Sequence, residues 1–248
     1  MQYRYRAGGY SPAYFPNGVK WLLIVNTAVF LVGFFAYAWF DASPLTLFAL
    51  VPRFVLHYGM LWQLVTYMFL HGGVWHLVFN MLALWMFGAD LERDWGTRLF
   101  LKYYFLCGIA AGLCVVLVSL VRPSEAAFPT LGASGAIYGL LLAYGVLYAD
   151  RIILFMLLFP MKAKYAVMIW GAIAFLGFWT PGTGVSHVAH LGGMLFGYLY
   201  LKTRMQCRPG NPAVSLHARF RDWKRQRARR KFQVYMKKQQ SGRDPWVN

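Results

Sequence analysis

Three short stretches carry side chains suited to nucleophilic chemistry. The first is His71-x4-His76-x3-Asn80, with His76 and Asn80 four apart and so on one face of a helix. The second is Gly132-Ala133-Ser134-Gly135, a turn that runs straight into an apolar segment. The third is His187-Val188-Ala189-His190-Leu191-Gly192-Gly193, continuing to Gly197. A serine that opens a helix sits among free backbone N–H groups and beside the positive end of the helix dipole. That setting suits a nucleophile whose product is an oxyanion. An imidazole within reach would act as general base, then as general acid to a leaving amine. Ser134 and His190 are the candidates for these two roles. His76, Asn80 and the Ser134 backbone N–H are candidates for an oxyanion hole.

The surrounding chain must bring these stretches together, and its composition says in what medium. Of 248 residues, 59% are apolar and 13% charged, against about 25% charged in an average soluble domain. Trp21 to Phe40 and Tyr103 to Val121 are uncharged runs of twenty and nineteen residues, the length that spans a bilayer core. The reading is an all-α polytopic membrane protein with six spans, near 21–40, 74–87, 99–121, 134–149, 165–179 and 187–201. Residues 41–70, broken by Pro44, Pro52, Arg53 and Gly59 yet aromatic, read as a loop partly sunk in the membrane interface. The apolar stretch 152–159 reads as an interfacial connection closed by Pro160 to Lys164. Arg4 and Arg6 precede the first run, which reads as a retained span and not a cleaved signal.

Charge orients this arrangement. With both termini on the cytoplasmic side, the outer segments hold only Arg53 and Arg122. Residues 41–70 and the link before Ser134 then face outward. Residues 134–149 rise only about 24 Å, so Ser134 is expected below the outer surface, in protein or lining a wet cavity. His190, Gly193 and Gly197 share a face, and Gly135 and Gly139 have small-x3-small spacing. Such faces let two helix backbones approach closely in lipid. The spans hold no Asp or Glu between their ends, so serine and histidine would act as a dyad.

The net charge of +17 is mostly a property of the C-terminal tail. Fourteen of the 25 Lys and Arg lie in residues 202–248, where Asp222 and Asp244 are the acids. Leu216, Phe220 and Trp223 share a helical face before a basic run, which suits a helix lying on anionic inner-leaflet lipids. A solvated tail that serves only topology is the alternative. No base-reading motif accompanies the basic run, so no nucleic-acid partner is expected. Cys107, Cys114 and Cys207 do not form a disulfide framework.

Jointly and in order, these features resemble the rhomboid intramembrane serine proteases over residues 45–202. The likeness rests on the span order, His-x4-His-x3-Asn, Gly-x-Ser-Gly, and Ala-His-x2-Gly-x3-Gly. It implies Ser134 as nucleophile, His190 as base, and His76 and Asn80 at the oxyanion site, with Gly132 and His71 in support. It also implies Tyr138 packed against the His190 ring. Trp62 matches the family's Trp-Arg loop motif, but Gln63 stands at the Arg position. Glu92 and Gly96 match Glu-x-Arg-x-Gly, but Asp94 stands at its Arg.

The implied activity is cleavage of transmembrane substrate proteins near the outer face, without cofactor or metal, in a bacterial inner (plasma) membrane. The implied organisation is a leader at 1–20, a six-span protease domain at 21–202 and the tail at 203–248. Each motif also has a plainer reading. Gly132 to Gly135 could serve helix packing, and His76 with Asn80 an interhelical hydrogen bond. Tyr138 could be a core aromatic, His187 a structural residue, and His71 fits either loop or site. A non-catalytic relative that binds client helices would be expected to lack the serine or the histidine. A metal or proton transporter would use His71, His76, His187 and His190. A zinc protease would need His-Glu-x2-His, which does not occur.

Overall fold

The computed structural model describes residues 15–40, 45–155, 158–179 and 184–206. The chain divides into two units, Met1–Tyr200 and Leu201–Asn248. Of the second, only the helical residues 201–206 are described; the leader's first fourteen residues and the tail from 207 onward lie outside the described residues.

The first unit is a helical bundle. α1 (Asn17–Phe40) is followed by three short helices, α2 (Leu45–Phe48), α3 (Pro52–Tyr58) and α4 (Gln63–Thr66). α5 (Val74–Ala83) passes through a π-helical turn, Leu84–Gly88, into α6 (Ala89–Trp95). Then come α7 (Thr97–Val121) and α8 (Ser134–Leu147), and a hairpin of β1 (Ile152–Phe155) and β2 (Phe159–Lys162). α9 (Ala163–Gly177) and α10 (Gly184–Gln206) follow, α10 up to Tyr200 belonging to this unit. Asn17–Ala38, Val74–Trp95 and Thr97–Val121 are long and apolar enough to cross a membrane, and α8 and α9 are shorter apolar helices. α1 turns Trp21, Val32, Phe34 and Tyr37 outward, as lipid-facing residues do.

Four differences from the sequence reading have local causes. The second span continues past Phe87 to Trp95, because the charges after Gly88 have partners. Tyr144 and Arg151 bond Asp90, and Tyr148 bonds Asp94. Residues 45–69 are short helices more than irregular loop: Pro52 takes the first turn of α3, and Gly59 ends it at φ 66°. Residues 152–162 pair as an antiparallel hairpin, Ile152 opposite Lys162 and Leu154 opposite Pro160. The last span starts at Gly184, three residues before the expected 187.

Glu92 ties α1 to the second span. Its carboxylate is 3% exposed and accepts the backbone N–H groups of Gly18 and Val19 at 2.8 and 2.7 Å. It also accepts the Thr97 hydroxyl at 2.6 Å. An anion at the first turn of α1 satisfies orphan amides and meets the positive end of the dipole. No cation is needed at position 94 for this: Glu92 is held by amides, and Arg93 pairs with Asp90 instead.

The short helices brace the link in front of Ser134. Gln63 is fully buried; its Oε1 accepts the Val51 N–H at 3.0 Å and its Nε2 donates to the Leu47 carbonyl at 3.2 Å. Gln63 therefore anchors this segment where the family motif has Arg, together with Trp62 and Thr66, which donate to the Leu47 and Phe48 carbonyls. Leu50 and Thr130 exchange backbone hydrogen bonds, and Gly132 N–H bonds the Tyr67 carbonyl at 2.9 Å. Tyr67 in turn donates to the Gly108 carbonyl of α7 at 2.7 Å.

α8 meets α10 through glycine. A Cβ on Gly193 would overlap the Gly135 carbonyl oxygen. One on Gly139 would lie 3.2 Å from the Gly193 carbonyl oxygen, and one on Gly197 3.3 Å from the Gly139 Cα. α7 closes the other side: Tyr103, fully buried, donates to the Gly139 carbonyl at 2.9 Å.

Two stability measurements test these contacts. Glu92→Ala leaves three donors without their acceptor and is expected to cost about 3 kcal/mol, seen as a clear drop in thermal unfolding temperature in detergent. An unchanged temperature would remove the capping role. Gly193→Ala, which pushes backbone against backbone, is expected to cost about 2 kcal/mol or more. Gly171→Ala is the control, since its Cβ would meet only the Met194 side chain at 3.4 Å and should be tolerated.

Candidate active site

Ser134 is the first residue of α8. The turn before it needs glycine, because Gly132 has φ 114° and its Cβ position lies 2.8 Å from His76 Nε2. Any side chain there would be strained and would push the imidazole away. The amides at the start of α8 are those that have no intrahelical acceptor. Ser134 therefore stands beside a group of N–H donors, with the His76 ring across Gly132.

His190 comes from α10, held close by the glycine contact. Its Nε2 lies 2.9 Å from Ser134 Oγ. One turn into α8, Tyr138 stacks flat on the imidazole, with centroids 4.0 Å apart and planes 6° apart. The His190 Nδ1 is buried with no hydrogen-bond partner among the described residues. His187, one turn earlier, stands edge-on to His190 with centroids 5.9 Å apart. It also fills the space that a side chain on Gly177 of α9 would need.

On α5, the Gly72 N–H donates to His76 Nδ1 at 3.3 Å. With Nδ1 accepting, a neutral His76 carries its proton on Nε2, the nitrogen turned toward Gly132. Asn80 is 7% exposed and donates from Nδ2 to the His76 carbonyl at 2.7 Å, leaving its second amide N–H for another acceptor. His71 is buried in the segment before α5 and stands edge-on to His76 at 5.1 Å. Burial first, and then the His76 ring, push its pKa down to about 4, so it is neutral at neutral pH. His71 does not line the cavity described next.

His76, Asn80, Ser134, Tyr138 and His190 line one cavity of about 430 Å³. Its other walls are apolar: Phe79, Met86 and Phe87 from the second span, Ile137 and Leu141 from α8, Leu154 from β1 and Trp170 from α9. The sequence reading missed these walls. His76, Phe79, Ala83 and Met86 recur at helical spacing, a signal that could have found one wall. Trp170 and Leu154 arrive from other elements, and nothing local marks them. Among the described residues no group of three or more His, Cys, Asp or Glu is arranged to hold a metal ion. Chemically, the cavity offers a hydroxyl on an imidazole, N–H donors around it and apolar walls.

Residues 58–207 match the family model described as the Rhomboid domain. The chain is 32% identical over 158 residues to Rhomboid protease GluP of Bacillus subtilis, covering 64% of this chain and 29% of that protein. It is 35% identical over 136 residues to the mitochondrial Rhomboid protein 1 of Saccharomyces cerevisiae, covering 53% and 38%. It is 33% identical over 159 residues to Rhomboid-like protease 5 of Toxoplasma gondii, covering 61% and 17%. The matches thus span less than two fifths of these relatives' own lengths. A family model matched over more than half of the chain, on a helical bundle with long apolar spans, settles the kinship: this chain belongs to the rhomboid family.

Proposed function

We propose that this protein is an intramembrane serine endopeptidase that cleaves transmembrane proteins near the outer membrane face. The observation that carries the reading is the 2.9 Å separation of Ser134 Oγ and His190 Nε2 beside a cavity with N–H donors. The names of the Bacillus subtilis and Toxoplasma gondii relatives, both proteases, support the class.

In this reading His190 Nε2 takes the Ser134 proton as Oγ attacks the scissile carbonyl. The oxyanion that forms is received by the Ser134 N–H, the His76 Nε2–H and the second N–H of Asn80. His190 then gives its proton to the leaving amine, and an acyl-enzyme on Ser134 remains. Water entering from the outer side hydrolyses it, with His190 again as base. Tyr138 holds the imidazole plane, and Gly132 and His71 shape the wall on which His76 sits. The chemistry needs no cofactor.

A substrate helix protects its carbonyls by internal hydrogen bonds, so the cut requires local unwinding. Helix-weakening residues near the cut and a small side chain at it are the expected substrate features. The charge pattern favours cytoplasmic termini, and the resemblance to bacterial-type rhomboid proteases supports a bacterial inner membrane, with the protease domain over 21–202 and the tail over 203–248 as a lipid-contacting segment.

Cleavage of a designed single-span substrate in liposomes tests the dyad. Ser134→Ala and His190→Ala are each expected to lower the rate by about 10³-fold or more. Cleavage is expected to persist in a strong chelator, and its loss there would favour a metal reading. Cleavage by Ser134→Ala at the parent rate would end the proposal. Tyr138→Phe should stay near the parent, whereas Tyr138→Leu, which loses the stacking, should fall about three- to tenfold.

A further inference from the structure

A second cavity, of about 460 Å³, lies at the other end of the bundle. α8 runs fourteen residues from Ser134, a rise of about 20 Å, before the chain reaches Arg151 at this cavity. Leu82, Met86, Phe87 and Leu154 line both cavities and form the wall between them. The polar end of the second cavity holds Asp90, Arg93 and Arg151. Asp90 bridges the two guanidinium groups, at 3.1 Å to Arg93 and 2.7 Å to Arg151. Arg151 also lies over the rings of Tyr144 and Tyr148.

Asp94, which accepts the hydroxyl of the Tyr148 ring that Arg151 lies over, is a second anion here, so Asp90 and Asp94 balance Arg93 and Arg151. The single positive excess comes from the neighbouring cluster, where Lys162 and Lys164 share Asp150. The side chains of Arg93 and Arg151 are 43% and 45% exposed, so both guanidinium groups reach the surface. Beside them the apolar walls are also open: Trp85 is 47%, Leu154 50% and Ile152 69% exposed. An exposed tryptophan between charged and apolar groups fits the headgroup level of a bilayer.

We infer that this cleft binds the phosphodiester headgroup of an anionic phospholipid, with the lipid's acyl chain lying along Trp85, Ile152 and Leu154. Guanidinium presents donors in a fork that matches phosphate oxygens. The Asp90 bridge holds both forks in place before the lipid arrives. The single excess charge complements one phosphodiester. A choline headgroup would bring its own cation against Arg93, Arg151 and the lysines, so the cleft discriminates against zwitterionic lipid. A free phosphate would leave the apolar wall uncovered. The site is built from side chains of residues 85–164 and does not depend on catalysis at Ser134.

Native mass spectrometry of the detergent-purified full chain tests this, with phosphatidylglycerol, phosphatidylcholine and inorganic phosphate as separate additions. The parent is expected to retain one phosphatidylglycerol in clear preference to phosphatidylcholine, and phosphate is expected not to displace it. Arg93→Ala should weaken that retention about tenfold while the lipid-free unfolding temperature stays unchanged. Ile152→Glu, at a position that is 69% exposed, should weaken it likewise, again with the lipid-free unfolding temperature unchanged. Retention by both variants at the parent level, equal retention of phosphatidylcholine, or displacement by phosphate alone would overturn the inference. Because the readout is lipid mass and not cleavage, its failure is separate from any failure of the protease reading.

Discussion

The contact between α8 and α10 is made by backbone. Gly193 lies against the Gly135 carbonyl, and Gly139 and Gly197 leave no room for a side chain between them. In lipid there is no hydrophobic drive to press two helices together, so close packing of small residues has to do it. The reward for this closeness appears at the top of α8. Ser134 precedes Gly135 by one residue, and His190 precedes Gly193 by one turn. The distance between hydroxyl and imidazole therefore follows from a backbone contact that side chains cannot loosen. Tyr103 of α7 fastens the same region by bonding the Gly139 carbonyl.

The other half of the cavity is set by a chain of polar contacts that starts far from it. Gln63 holds Val51 and Leu47, Leu50 pairs with Thr130, and the Tyr67 carbonyl takes the Gly132 N–H. That sequence of bonds fixes the turn at Gly132, and the turn makes room for His76. The Gly72 N–H in turn decides which His76 nitrogen carries the proton. These are polar bonds within an apolar protein, where an unmade hydrogen bond is costly. Among the described residues the cavity lining contains no carboxylate. The planar stack of Tyr138 on His190 therefore orients the imidazole by packing, not by an ion pair.

Much of this was legible in the sequence, for definite reasons. Bilayer thickness makes spans visible as runs of about twenty apolar residues. Polar residues inside such runs stand out because few are tolerated, which is how Ser134, His190, His76 and Asn80 were found. The glycine spacing was legible because small residues on one face have few other uses in a membrane helix. The end of the second span was misjudged, since Asp90, Glu92 and Asp94 look like a boundary until their partners from α1, α8 and the β1 edge are known. The hairpin was hidden because a short apolar run has no decisive period. The effect of Gln63 was also hidden: a buried amide can replace a guanidinium only if two backbone groups lie within its reach, and that is a tertiary fact.

The account stands or falls on the reactivity of one hydroxyl. The most direct measurement is to treat the purified protein with a fluorophosphonate and map the modified residue by peptide mass spectrometry. The account predicts a single adduct, on Ser134, and its loss when His190 is replaced by Ala. An unmodified Ser134 under conditions that label another serine, or a Ser134 adduct that forms equally well without His190, would contradict it.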